Sequence, residues 1–247
     1  MSHHESIRAL VLAGRRLNRT INKLPFASPV AYVYNPLHYA RAPYELYLSK
    51  YGHGPKRVVF LGMNPGPFGM VQTGVPFGEI DSVRNWLNIS GPVTKPLSQH
   101  PKRPIEGFAC RRSEISGLRL WGLFSQRFQR PENFFAEHFV LNYCPLAFLE
   151  ETGRNRTPDK LPESERTQLF AACDAHLRET INSLRPEWIV GIGKFALSRA
   201  AVALPPGKAQ LALIHHPSPA NPAANKNWST LVTAQLVQQG VWAGKSR

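Results

Sequence analysis

The stretch Val58-Val59-Phe60-Leu61-Gly62-Met63-Asn64-Pro65-Gly66-Pro67-Phe68-Gly69-Met70-Val71-Gln72-Thr73-Gly74-Val75-Pro76-Phe77-Gly78 decides the fold. Its opening apolar run predicts a buried strand over 56–62. The chain leaves that strand at Asn64-Pro65. From Asn64 to Gly78 there is no charged residue, and seven of fifteen residues are Gly or Pro. Proline fixes φ and pushes the preceding residue towards extended geometry. Glycine lets a backbone approach a ligand closely. A stiff, uncharged loop of this kind reads as the wall of a pocket, against the plainer alternative of an ordered Ω-loop without chemistry.

Working outward, short apolar runs over 139–143, 188–192 and 211–214 predict three more strands, each separated from the next by a helical pattern. Helices are predicted over 5–24, 43–50, 79–87, 118–128 and 162–184, from Lys194 onward, and around Trp228 to Leu236. Glu79 and Asp81 suit the first turn of the third of these. Residues 25–43 read as irregular, and 90–117 as a long connection that is either functional or disordered. Strands alternating with helices indicate an α/β fold with a central parallel four-stranded sheet and helices on both faces. No repeat or linker appears, so 1–247 is read as one domain, with 1–24 a peripheral amphipathic helix. Ligands bind such sheets beyond the carboxyl ends of the strands. Three of the four predicted strands end near an unusual polar residue, Asn64, Asn142 or His216, which points to one shared site.

The totals narrow the partner. Thirty Lys and Arg against sixteen Asp and Glu give a net charge of +14. That balance suggests a polyanion, nucleic acid first. Cys110, Cys144 and Cys173 stand far apart, so no cysteine-held metal site is expected. Cys173 reads as a core residue. No apolar run reaches the length of a membrane span, and basic residues interrupt the N-terminal apolar positions, so neither membrane nor signal peptide is expected. Gly191-Ile192-Gly193-Lys194 lacks the spacing of a phosphate loop and reads as an ordinary strand-to-helix turn.

Two motifs resemble one family. Gly62-Met63-Asn64-Pro65-Gly66 through Pro76-Phe77-Gly78 is similar to the first motif of the single-strand-selective monofunctional uracil-DNA glycosylases. His216-Pro217-Ser218-Pro219, with Asn221-Pro222 and Ala224-Asn225-Lys226, is similar to their second. Asn142 with Cys144-Pro145-Leu146 resembles the uracil-recognition strand, and His100-Pro101-Lys102-Arg103-Pro104 the intervening loop. The resemblance implies a uracil-DNA-glycosylase fold and hydrolytic excision of uracil, and of some C5-modified uracils such as 5-hydroxymethyluracil, without metal or cofactor. The implied partners are single- and double-stranded DNA containing uracil. The protein is expected to be a monomer, in the nucleoid or cytoplasm of a bacterium or the nucleus of a eukaryote.

The resemblance also implies roles. Asn64 would position the water and His216 would donate a hydrogen bond to uracil O2, where charge grows. His215 is the competing residue, although the motif register favours His216. Asn142 would read O4 and N3–H with its paired acceptor and donor. Phe77 would stack on the base, with Met63 and Gly66 near C5, where a glycine leaves room for a substituent. Ser218, Pro219, Ala220, Asn221 and Asn225 would form a wedge into the duplex, with Lys226, Lys102 and Arg103 near phosphates. Ala220 stands where some members carry arginine. Neither motif contains a carboxylate base or an amine placed to attack C1′, so no lyase step is expected. The alternatives are a mismatch-specific or hypoxanthine/xanthine-directed glycosylase of the same superfamily, or a non-catalytic DNA-binding protein.

Overall fold

A computed structural model describes residues 3–244. In chain order the elements are α1 (His3–Ile21), β1 (Val30–Tyr34), α2 (Pro36–Tyr39), α3 (Arg41–Tyr51), β2 (Val58–Gly62), α4 (Met70–Thr73), α5 (Ile115–Phe128) and α6 (Pro131–Glu137). They continue with β3 (His138–Asn142), β4 (Ala147–Glu150), β5 (Asn155–Arg156), α7 (Glu163–Leu184), β6 (Trp188–Ile192), α8 (Lys194–Ala203), β7 (Gln210–Ile214) and α9 (Trp228–Gln238). The central sheet is parallel throughout, in the order β3-β2-β6-β7. Every residue of β2 and β3 is buried, as a strand covered on both faces requires. Each fully buried Val, Leu or Phe there contributes ~1.5–3 kcal/mol.

The strand order places the site. The chain steps from β2 to β3 in one direction and from β6 to β7 in the other. With right-handed crossovers, opposite steps put their helices on opposite faces. Thus α5 packs on α6 and α9, while α7 packs on α1 and α8. The crevice where connections diverge opens between the carboxyl ends of β2 and β6. Cys173 lies in the core. The apolar residues Leu10, Leu17 and Ile21 of α1 are buried, while Arg15 and Arg16 stay exposed and pair with Glu45 at 2.8 Å and Glu179 at 2.6 Å.

Three sequence expectations are corrected. The stretch 25–43 is not irregular: it supplies β1, which pairs antiparallel with β4, and β4 with β5, in a second, three-stranded sheet. Helix α6 was not predicted. Residues 79–87 do not form a regular helix. The Glu79 carboxylate accepts from the Ser82 backbone N–H at 2.9 Å and its hydroxyl at 2.6 Å. The turn then widens into one π-helical turn over Ser82–Trp86, closed by Leu87 N–H to Ser82 O at 3.0 Å. The connection 90–117 is ordered by buried polar side chains. The Tyr34 hydroxyl donates to Arg103 O and accepts from His100 N–H. Gln72 donates to Pro104 O and accepts from Glu106 and Gly107 N–H.

Two buried histidines make the fold acid-sensitive. His138 Nε2 accepts from the Trp242 indole N–H at 3.0 Å, and its Nδ1 faces Phe134 O at 3.0 Å. The ring is therefore neutral, and burial pushes its pKa down to about 3. Burial pushes His176 down to about 4. The unfolded chain, with ordinary histidine values, binds more protons below about pH 6.5, so stability falls as pH drops. The expected result is a melting temperature that declines from about pH 6.5 to about pH 5, a window in which the buried Glu114 carboxyl, its pKa raised to about 7, offsets only part of the loss. A flat melting temperature across that window would contradict it.

Candidate active site

The ends of β2, β3 and β7 meet at one cleft of about 730 Å³. The ladder continues past the strands: Tyr143 N–H donates to Gly62 O and Cys144 N–H to Met63 O, both at 2.9 Å. This fixes the loop after β2 against the loop after β3. Met63, Asn64, Gly66, Phe77, Asn142, His216, Ser218 and Pro219 all line the cleft. Charge-free loop residues form one wall, as the composition of 64–78 indicates.

Phe77 and Asn142 meet over Gly62. A Cβ at Gly62 would lie 2.4 Å from Asn142 Oδ1 and 2.5 Å from the Phe77 ring. Phe77 adopts φ 53°, an uncommon conformation for a residue with a side chain. The surroundings hold it there. Its carbonyl accepts from the Trp121 indole N–H at 3.0 Å and Glu79 N–H at 2.7 Å. Gly117 comes so close that a Cβ would lie 2.2 Å from that oxygen. Strain kept by several contacts is typical of a working surface. Asn142 Nδ2 donates to the Met70 thioether at 3.4 Å, and its buried Oδ1 has no protein partner. Sulfur is a weak acceptor, so the amide has most of its hydrogen-bonding capacity left for a ligand.

Asn64 and His216 are set by their neighbours. Asn64 Nδ2 donates to Leu146 O at 3.2 Å, which leaves Oδ1 as the acceptor. His216 Nδ1 accepts from Ser218 N–H at 3.1 Å. A neutral imidazole so engaged carries its proton on Nε2. Burial pushes the His216 pKa down to about 4, which keeps the ring neutral near pH 7. The ring lies 6.2 Å from that of Phe77, centroid to centroid, tilted by 42°. His215 is exposed, and its backbone groups are taken by Gln235 and Trp228; it does not line the cleft.

Residues 49–236 match the profile of the Uracil DNA glycosylase superfamily. The chain is 47% identical over 228 residues to a protein of Rattus norvegicus named single-strand selective monofunctional uracil-DNA glycosylase, covering 92% of this chain and 82% of that one. A Bos taurus protein of the same name is 47% identical over 92% of this chain and 84% of its own.

The chain belongs to the uracil-DNA glycosylase superfamily.

Its fold is also similar to the crystal structure of wild-type Pedobacter heparinus SMUG2, with a TM-score of 0.63 at 16% identity, over 92% of this chain and 98% of that one. In this glycosylase the segment after His216 is braced internally. Asn221 donates to His216 O at 3.0 Å and caps the turn at Pro222–Ala224. Asn225 donates to Pro219 O at 3.0 Å. Arg119 of α5 donates to Pro217 O at 2.7 Å and to Asn225 Oδ1 at 3.3 Å. Ala220 and Lys226 are exposed beyond the cleft lining. Lys102 and Arg103 come from another direction: Lys102 is exposed, while Arg103 donates to Gly153 O at 3.3 Å. The guanidiniums of Arg103 and Arg112 both lie over the Phe68 ring, at 5.2 and 4.6 Å, on the wall of the cleft.

Sequence reasoning missed Arg112, Arg119 and Glu114. Glu114 brings a carboxyl to the cleft from outside both motifs. Burial, then repulsion from Glu79, pushes its pKa up to about 7. No periodicity marks it; the polar run Arg111-Arg112-Ser113-Glu114 ahead of α5 was the sole local signal. A first test concerns Gly62. Gly62→Ala is expected to slow uracil excision about tenfold by displacing the Asn142 amide and the Phe77 ring together, on the usual scale of a small misplacement. Single-turnover excision reads the effect, and wild-type rates would refute it.

Proposed function

We propose that this glycosylase takes a uracil out of the DNA stack and hydrolyses the bond between its N1 and deoxyribose C1′. The observation that carries the reading is the pair of groups flanking Phe77: a neutral His216 whose Nε2–H is left to donate, and an Asn142 amide with unspent hydrogen-bonding capacity. A base within a duplex is out of reach, so it must be extruded. The ring then lies on Phe77. Asn142 pairs with O4 and N3–H; cytosine presents an amino group and a bare N3, which mismatch, and such sites reject strongly.

As the glycosidic bond breaks, the sugar becomes cation-like and the base leaves as an anion. His216 donates to O2, where negative charge grows, so its bond strengthens in the transition state. Asn64 Oδ1 orients a water towards C1′, positioning it rather than removing its proton. No lysine lines the cleft, which supports hydrolysis without a lyase step. The net charge of +14 suits phosphate contact with single- and double-stranded DNA, and binding should weaken as salt rises. A non-catalytic DNA-binding protein would account for the charge but not for the His216 and Asn142 arrangement. Among the described residues, no cluster of ligands suits a metal ion. We include 5-hydroxymethyluracil among the substrates.

The test is an oligonucleotide carrying one uracil, incubated with the protein and then treated with alkali. Strand breaks at the uracil only after alkali are the expected result. An intact strand after alkali at uracil would overturn the proposal, and breaks at hypoxanthine alone would favour the hypoxanthine-directed alternative.

A further inference from the structure

The second sheet carries none of the reacting groups, yet its β4–β5 hairpin reaches the cleft. Asn155 and Thr157 line the cleft, whereas Arg156 does not. Successive side chains of a strand point to opposite faces. Arg156 accordingly turns away and pairs with Glu150 of β4 at 3.2 Å. Asn155 turns towards the loop after β2, where its Nδ2 donates to Pro65 O at 3.2 Å.

Among the described residues, that is the one hydrogen bond of the Asn155 side chain. Its Oδ1 is sealed from solvent and has no partner. Burying an unpaired polar atom is costly, and asparagine is a poor strand former. An apolar β-branched residue would avoid both costs, but it could not hold Pro65 O.

That carbonyl adjoins the residue that orients the water. Asn64 Nδ2 lies 3.5 Å from Pro65 O and donates to Leu146 O at 3.2 Å. Leu146 directly precedes β4. One hairpin therefore holds Asn64 twice, its amide at Leu146 and the following residue at Asn155. Pro65 has no backbone N–H, so its carbonyl is the single backbone group by which a neighbour can grip it. The hairpin is itself fixed: His100 Nε2 meets Glu151 O at 2.8 Å, and Arg103 Nε donates to Gly153 O at 3.3 Å.

We propose that Asn155 is a positioning residue for Asn64: by holding Pro65 O, it fixes the direction in which Asn64 Oδ1 presents the attacking water. This rests on the role given to Asn64 above. Without the bond the Asn64–Pro65 turn can shift, and a small displacement of an oriented reactant is felt strongly in the rate. Base binding does not depend on the bond, because Asn142 and His216 stand at the ends of β3 and β7.

The test is single-turnover excision of uracil by wild type, Asn155→Ala, Asn64→Ala and the double variant, each over a range of enzyme concentration. The plateau gives the rate constant of folded protein, and the half-saturation point gives the affinity for uracil-containing DNA. Asn155→Ala should lower the plateau about tenfold, the scale of one hydrogen bond, and leave half-saturation within about threefold of wild type. In the Asn64→Ala background the same change should cost less than about twofold, because the group it positions is already gone. If the alanine variant does not fold, Asn155→Val, which suits a strand and lacks the donor, takes its place. A tenfold cost in both backgrounds overturns the proposal, since Asn155 would then act independently of Asn64. No cost in either background, or a loss of affinity that matches the loss of rate, overturns it as well. A wild type that leaves uracil intact refutes the functional proposal instead.

Discussion

His216→Ala is expected to slow uracil excision by about 10²–10³-fold, the usual scale for losing one donor to a developing anion. The size follows from how the ring is held. Ser218 N–H occupies Nδ1, so the proton sits on Nε2. Burial lowers the pKa to about 4, so the donor is neutral imidazole. A neutral donor helps most when charge has moved to O2, and little before that. The loss should therefore appear in the chemical step under single-turnover conditions, with much less change in substrate binding. The same geometry makes a pH statement. An ordinary histidine loses its proton near pH 6.5. Because His216 has already lost it, the wild-type rate should not fall between about pH 5 and about pH 6 as a required imidazolium would demand. His215→Ala is the control, expected within about threefold of wild type, since that side chain is exposed outside the cleft. A His216→Ala rate within tenfold of wild type would remove His216 from the mechanism.

Asn64→Ala should cost on the order of 10²-fold or more in excision, the scale of losing an oriented reactant. The amide donates to Leu146 O, which settles which way it faces and leaves Oδ1 to hold the water. Alanine removes that acceptor and leaves the attack to an unplaced water. Affinity for uracil-containing DNA should change little, because the base-reading groups and the basic surface remain. A parallel collapse of DNA binding and excision would mean that Asn64 instead holds the loop after β2 in place. Titration of a catalytically slow variant against a fluorescent oligonucleotide separates the two cases.

Much of this architecture is legible in local patterns. The apolar runs of β2, β3, β6 and β7 are bounded by polar or breaking residues, and the helices α5 and α7 carry one apolar face. Such signals depend on a few adjacent residues. The second sheet escapes them because β1 pairs with β4 across more than a hundred residues of chain, and each strand is short. The segment 79–87 misleads for a related reason: Glu79 and Asp81 are good first-turn acids, yet Glu79 bonds Ser82 and Leu87 closes a wider turn.

The residue types at the site, and the two motifs that hold them, belong to the sequence by itself. So does the expectation that they meet, because parallel strands put their carboxyl ends at one edge. The tertiary structure alone decided how each group is prepared. The proton position on His216 depends on a backbone N–H two residues away folding back onto Nδ1. The meeting of Phe77 with Asn142 depends on a missing side chain at Gly62. Glu114 reaches Gly66 and Gly69 only because the connection 90–117 is clamped beside the loop after β2. Protonation, tautomer and burial are set by atoms that become neighbours on folding, and no local pattern records them.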